Sequence, residues 1–194
     1  MTIYTKKGDK GTSNLFASKT RKRIYKSDLF FEVLGNLDEL NSFIGIVVAA
    51  IKKEKIFRLE SNLRLDVLLE NVQKDLLTIG SIIAGSKLQF DSMKTKKLEK
   101  VIDVLEERLS ILKNFILPGG NEIAAQLHFS RSLVRRTERS VVKLNLNKDF
   151  EFKKKNIVEN RIIPYLNRLS DFFFILAREV NLSKGVKEKI WKKN

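Results

Sequence analysis

The chain has 194 residues, 43% of them hydrophobic, and no long compositional break, which predicts one domain over 1–194 with a sizeable core. Zero cysteines and one histidine exclude disulfides, thiolate metal sites and a multi-histidine centre within one chain. The formal charge of +15 favours anionic partners such as nucleotides, phosphorylated cofactors, nucleic acid or acidic membranes, without choosing among them.

The first 26 residues carry dense punctuation: Gly8 and Gly11 flank Asp9-Lys10, followed by Thr12-Ser13-Asn14 and a basic run over Lys19–Lys22. This composition predicts a loop or short extended piece. Its glycines, hydroxyls and lysines could cradle a polyphosphate, although the Walker pattern is missing. An ordinary N-terminal arm is the plainer alternative.

From Asn36 the period becomes helical, with Leu37, Leu40, Ile44, Val47, Val48 and Ile51 on one stripe and Asp38, Asn41, Ser42 and Gly45 off it. A second helix is predicted over Leu59–Ile83, its apolar positions being Leu65, Leu68, Leu69, Val72, Leu76, Leu77 and Ile79, with Gly85 as its stop. A third runs from about Thr95 to Leu112, and Phe115-Ile116-Leu117-Pro118-Gly119-Gly120 then makes a turn. The fourth covers Asn121–Leu144 and the fifth Val158–Asn181, with Pro164 in its first turns. Lys184–Asn194 reads as a basic, frayed tail. Five helices on short loops predict an all-α fold, a five-helix antiparallel bundle with an irregular N-terminal arm.

No uninterrupted apolar run approaches the roughly 18 residues of a membrane span, and the polar opening at Met1–Asp9 leaves no room for a targeting segment. A cytoplasmic protein without membrane association is expected. The lysine clusters are not interleaved with aromatics, so a basic nucleic-acid-binding module is the weaker alternative and no nucleic-acid partner is expected.

The fourth helix holds the most chemically suggestive stretch, Arg131-Ser132-Leu133-Val134-Arg135-Arg136-Thr137-Glu138-Arg139. Arg131, Arg135 and Glu138 stand at i, i+4 and i+7 and share a face. Guanidinium forks match phosphate geometry, so the face could grip an anion, while a solvated charged surface remains the plain alternative.

Four blocks together resemble the PduO-type ATP:cob(I)alamin adenosyltransferases. They are Tyr4-Thr5-Lys6-Lys7-Gly8-Asp9-Lys10-Gly11-Thr12-Ser13, then Gly35-Asn36-Leu37-Asp38-Glu39-Leu40-Asn41-Ser42-Phe43-Ile44-Gly45, then Phe115–Gly120 running into Leu127-His128 and Arg131–Arg139, and Tyr165-Leu166-Asn167-Arg168-Leu169-Ser170-Asp171. The resemblance implies a helical bundle assembled as a homotrimer with active sites between subunits. It implies transfer of the 5′-deoxyadenosyl group of ATP to cob(I)alamin, giving adenosylcobalamin and triphosphate. A non-catalytic relative that binds ATP or adenosylcobalamin is the alternative of another class.

By the same resemblance, residues 1–35 form an ATP-binding arm, 36–182 the bundle and 183–194 the tail. Thr5, Gly8, Asp9, Gly11, Thr12, Ser13 and Lys26 are expected at the triphosphate, and Arg135, Glu138 and Asn167 at the nucleotide. Asp38 and Arg131 are expected to pair across the subunit boundary, and Phe115 to lie against the lower face of the corrin. Of these, Arg131, Asp38, Phe115 and Arg135 are the implied catalytic set. No protein side chain is assigned to a metal, Mg²⁺ being carried by the ATP triphosphate. A cobalamin reductase and an adenosylcobalamin-dependent enzyme are implied partners. His128 is expected to make a structural or orienting hydrogen bond in preference to moving a proton.

The chain departs from the family pattern near the arm. Ala17-Ser18 replaces a common Gly-Gly, Lys19-Thr20-Arg21-Lys22 is inserted before Arg23, Phe30 stands where arginine is common, and Asn36 replaces a frequent threonine. These changes bear on the path of the arm and its affinity for ATP.

Overall fold

The computed structural model describes residues 3–14, 23–55, 63–147 and 157–192. Two short strands, β1 (Thr12–Asn14) and β2 (Arg23–Tyr25), pair antiparallel, with Ser13 opposite Ile24. Among the described residues five α-helices follow: α1 (Leu29–Glu54), α2 (Leu65–Ile83), α3 (Met93–Glu106), α4 (Glu122–Leu146) and α5 (Ile163–Ser183). The all-α expectation holds. The Ala17-Ser18 change and the Lys19–Lys22 insertion lie outside the described residues, as does the predicted start of the second helix at Leu59.

Helix α1 begins seven residues before Asn36. Asp28 caps it, its Oδ1 accepting from the Phe30 N–H at 2.8 Å, an interaction of about 1 kcal/mol. Phe30, the departure noted above, is a core residue, buried with its ring edge against Phe31. Together with Val33 it extends the apolar stripe toward the N-terminus, so the buried positions run Phe30, Val33, Leu37, Leu40, Ile44, Val47, Val48 and Ile51. By length and composition α1 could cross a membrane. Its apolar stripe, however, is packed between α2 and α4.

Neighbouring helices can be followed by their contacts. Asn36 on α1 accepts from Thr137 Oγ1 on α4 at 3.2 Å, and Phe43 meets Phe129 further along, which makes α1 and α4 antiparallel. On α5, Asn167 reaches Glu138 near the C-terminal end of α4, and Asn181 reaches Asn121 at its N-cap. The contact between α3 and α5 differs: Arg168 pairs with Glu99 and Arg178 with the Ser110 carbonyl, so these two helices run the same way. Tyr165 ties three helices together, donating to Asp75 at 3.0 Å while Lys94 pairs with the same carboxylate. Burial, and then the Asp75 charge, push the Tyr165 phenol well above its ordinary range, so it stays a donor.

Three sequence expectations need correction. Helix α3 stops at Glu106 and not near Leu112, because the chain turns there through i→i+3 bonds and Arg178 takes the Ser110 carbonyl at 2.8 Å. Leu77 is 61% exposed and does not join the core. The described part of the tail, 184–192, is not frayed: Leu117 N–H donates to Lys189 O and Trp191 N–H to Phe115 O, both at 2.8 Å, and Glu188 pairs with the buried Arg178. A π-helical turn over Val158–Ile162 leads into α5. Pro164 has no N–H to continue an i→i−4 ladder, and Ile163 N–H instead reaches back to Val158 O.

Candidate functional site

The arm is built from overlapping turns. Gly11 N–H donates to Gly8 O at 3.2 Å and Asp9 N–H to Lys6 O at 3.4 Å. Gly11 sits at φ +71°, a conformation that favours glycine, and its carbonyl accepts from Lys26 N–H at 2.8 Å. Lys26 is thereby folded back over the glycine turn, where a Cβ on Gly8 would stand 3.0 Å from Nζ. The structure thus unites Gly8, Gly11 and Lys26, three of the seven residues expected at the triphosphate. Thr5 and Asp9 are exposed beside them, and Thr12 and Ser13 lie half-buried in β1.

The chain's own pattern had not singled out Arg23. Its guanidinium donates to Thr12 Oγ1 at 2.8 Å, to Thr12 O at 2.6 Å and to Lys7 O, so it clamps the turn to the strand pair. The Thr12 hydroxyl keeps its proton free to donate. In the strand register Arg23 stands opposite Asn14, so its reach to Thr12 is diagonal, and a lone cation in a short strand is too common to be a specific signal.

The strand pair leads into α1, whose second turn meets α4 at Thr137. At this end of α4, Asn167 Nδ2 donates to Glu138 Oε1 at 3.0 Å, bringing together two of the expected nucleotide residues. One turn away Arg135 is exposed, and among the described residues its guanidinium has no partner. Arg136 is committed to Glu39 on α1. The charged face therefore divides: Arg136 braces two helices, while Arg135 stays available.

Arg131 lies about 10 Å from Glu138 along α4, at roughly 1.5 Å of rise per residue. Its guanidinium stacks over Phe174, 5.6 Å from the ring centroid, a favourable cation–π arrangement. Both line a cavity of about 1180 Å³ with Phe115, His128, Asp171 and Trp191. Phe115 is 80% exposed into this space. It is held there by the Trp191 hydrogen bond and by the Pro-Gly-Gly turn. Gly120, at φ +106°, lies against the Asn181 carboxamide so tightly that a Cβ would overlap it. Asn181 is buried, donating to Gly119 O at 3.0 Å and accepting from Asn121 N–H at 2.9 Å. Phe174, Asn181 and Trp191 were not expected at the site, since only the folded chain brings them there.

His128 is 4% exposed on the wall of the same cavity. The structural or orienting hydrogen bond expected of it is not made within the chain: neither ring nitrogen has a partner among the described residues. Burial first, and then the nearby Arg131 charge, lower its pKa, with Glu188 opposing. The ring is therefore neutral at pH 7.

Asp38 does not meet Arg131 within the chain. It is exposed in a groove of about 410 Å³ between α1 and α2, beside Leu34, Leu77 and Gly80, whereas Arg131 faces α5. Among the described residues there is no cluster of three His, Asp or Glu side chains able to hold a metal ion.

Residues 3–180 match the model of the cobalamin adenosyltransferase family. The chain is 37% identical over 190 residues to the corrinoid adenosyltransferase of Bacillus subtilis, covering 96% of this chain and 90% of that protein. It is 35% identical over 195 residues to human corrinoid adenosyltransferase MMAB, covering 99% of this chain and 74% of that one. A variant PduO-type ATP:corrinoid adenosyltransferase from Lactobacillus reuteri, complexed with cobalamin and ATP, superposes with a TM-score of 0.82 at 29% identity, covering 99% and 100% of the two chains. A second variant from the same organism, complexed with ATP, gives 0.81 at 30% identity, covering 98% of this chain and 100% of that one. The chain belongs to the cobalamin adenosyltransferase family.

Proposed function

We propose that the protein transfers the 5′-deoxyadenosyl group of ATP to cob(I)alamin, with the nucleotide at the arm end of α4 and the corrinoid in the cavity at Phe115. The observation that carries this reading is the layout of α4. One helix presents an unpaired guanidinium beside a Glu–Asn pair at one end and an aromatic cavity at the other. The volume of about 1180 Å³ exceeds the ~300–1,000 Å³ usual for drug-sized ligands and suits a macrocycle.

In the reaction the electron pair of Co(I) attacks the 5′ carbon of ATP. A cobalt–carbon bond forms, the carbon–oxygen bond breaks, and that pair leaves on the triphosphate; cobalt is formally oxidised by two electrons. No proton has to move at the reacting carbon. The protein's work is to align cobalt, carbon and leaving oxygen and to stabilise the departing charge. Arg135 can bind phosphate oxygens bidentately, and Lys26 receives the rest with those N–H groups of the glycine turn other than Asp9 and Gly11, whose bonds close the turn. Mg²⁺ would be carried by the triphosphate and would neutralise charge there, and the hydroxyls of Thr12 and Ser13 and the Asp9 carboxylate would be the hard oxygen donors nearest to hand. Phe115 occupies the space of the lower axial ligand, which favours reduction of Co(II) to the nucleophile.

Asp38 and Arg131 face different sides of the chain, so a pair between them joins two copies head to tail. We take the closed ring to be a homotrimer, with Asp38 of one subunit completing the site around Arg131 of the next. A cobalamin reductase supplies the electron, an adenosylcobalamin-dependent enzyme takes the product, and the reaction is placed in the cytoplasm.

The test is anaerobic incubation with ATP, Mg²⁺ and chemically reduced cobalamin, followed by visible absorbance. A light-sensitive adenosylcobalamin spectrum is expected. Binding of both substrates without that product would leave a non-catalytic binding protein.

A further inference from the structure

His128 poses a chemical question that the reaction above does not answer. A neutral imidazole has one donor and one acceptor. Leaving both buried and unpaired is costly, so side chains in this state are rare. None of its polar neighbours among the described residues is hydrogen-bonded to it. Arg131 is a cation with donors only and disfavours the protonated ring. Glu188 is held by Arg178 through hydrogen bonds of 2.7 and 3.1 Å. The Asn181 carboxamide is directed at Gly119 O and Asn121 N–H.

The ring also has a definite outlook. Phe174 stands against it at 5.9 Å between centroids, tilted by 59°. The remaining directions open on the large cavity with Phe115 and on a smaller one of about 290 Å³ under the Pro-Gly-Gly turn. A carboxamide arriving there offers the ring both a donor and an acceptor in one group. The corrin macrocycle carries such groups, acetamides and propionamides, around its whole periphery. Adenine has a similar edge, but the nucleotide groups Arg135 and Glu138 lie roughly 10–15 Å farther along α4 at about 1.5 Å per residue.

We propose that His128 is a corrinoid-recognition residue whose neutral imidazole exchanges hydrogen bonds with one side-chain carboxamide of the corrin periphery. This inference rests on the corrinoid reading of the cavity.

The probe is cobalamin, titrated into the full chain while following fluorescence of its one tryptophan, Trp191, which lines the same cavity. Corrin absorption overlaps indole emission, so binding quenches. His128→Leu is expected to fold with unchanged or higher thermal stability and to bind cobalamin about tenfold more weakly, the factor equivalent to about 1.4 kcal/mol. Its ATP affinity by equilibrium dialysis stays the same. His128→Gln, which keeps a donor and an acceptor, recovers part of the loss. Among cobalamin monocarboxylates, each with one peripheral acetamide or propionamide hydrolysed, one isomer binds the unmodified chain more weakly than cobalamin, and that gap closes in His128→Leu. Equal cobalamin affinity in His128→Leu, an equal loss of ATP affinity, or discrimination of every monocarboxylate unchanged by the substitution would each overturn the assignment. If the unmodified chain fails to bind cobalamin, the proposed function falls with it; if it binds and His128→Leu binds as well, this inference alone falls.

Discussion

At the arm end of α4, Arg135 and Glu138 come from one helical face and Asn167 from one adjacent helix. At the other end the cavity is walled by four separated stretches, around Phe115, His128, Phe174 and Trp191. The first region needs little more than a helical period and one antiparallel contact. The second exists only when the tail has paired with the Phe115 segment and Asn181 has clamped the glycine turn. The polar end can work by charge on a flexible anion, whereas the aromatic end must hold a shape.

That contrast can be broken by substitution. The largest effect is expected from Arg135→Ala, which should lower kcat by about 100-fold, as loss of one transition-state donor does elsewhere. Arg135→Lys should recover only part, because an ammonium lacks the bidentate fork. Steady-state kinetics with saturating cob(I)alamin reads both. Phe115→Ala should cost about tenfold in turnover, the scale of an aromatic contact worth up to about 1.5 kcal/mol. It should do so chiefly when reduction limits the rate, with the KM for ATP unchanged; equal loss with pre-reduced corrinoid would contradict the role given to Phe115.

The clamp at the second region can be tested without substrate. Gly120→Ala places a Cβ against Asn181 at a positive φ and is expected to cost about 1–3 kcal/mol. Calorimetry should show a melting temperature lower by several degrees. Corrinoid affinity should fall more than ATP affinity.

Much of the bundle was legible because apolar residues recur at helical spacing. The α1 stripe from Leu37 to Ile51 is buried as its period demands. What periodicity missed was punctuation: the Asp28 cap that starts α1 early, and the Arg178 capture of Ser110 that ends α3 early. Each depends on one side chain meeting one backbone group. Leu77 fits the helical period but faces the groove that holds Asp38, since period alone does not say how many faces are covered. In the site, the Glu138–Asn167 meeting followed from blocks recognised in order. The unpaired nitrogens of His128, the clamp by Asn181 and the docking of the tail did not, because each joins residues far apart in the chain.

A smaller effect concerns pH. The folded His128 has a pKa below its ordinary ~6.5. As pH falls through that value the unfolded chain takes up a proton that the folded ring refuses, so this residue lowers stability progressively below about pH 6.5. Denaturant unfolding at pH 7.5 and 5.5 should show a larger stability loss for the unmodified chain than for His128→Leu. Identical losses would mean that the buried ring titrates normally.

The division of labour along α4 is tested most directly by stoichiometry in a single anaerobic turnover. With limiting cob(I)alamin and excess Mg²⁺–ATP, one inorganic triphosphate should appear for each cobalt–carbon bond, and neither without the other. Formation of ADP and phosphate in place of triphosphate, or triphosphate released without adenosylcobalamin, would contradict the account.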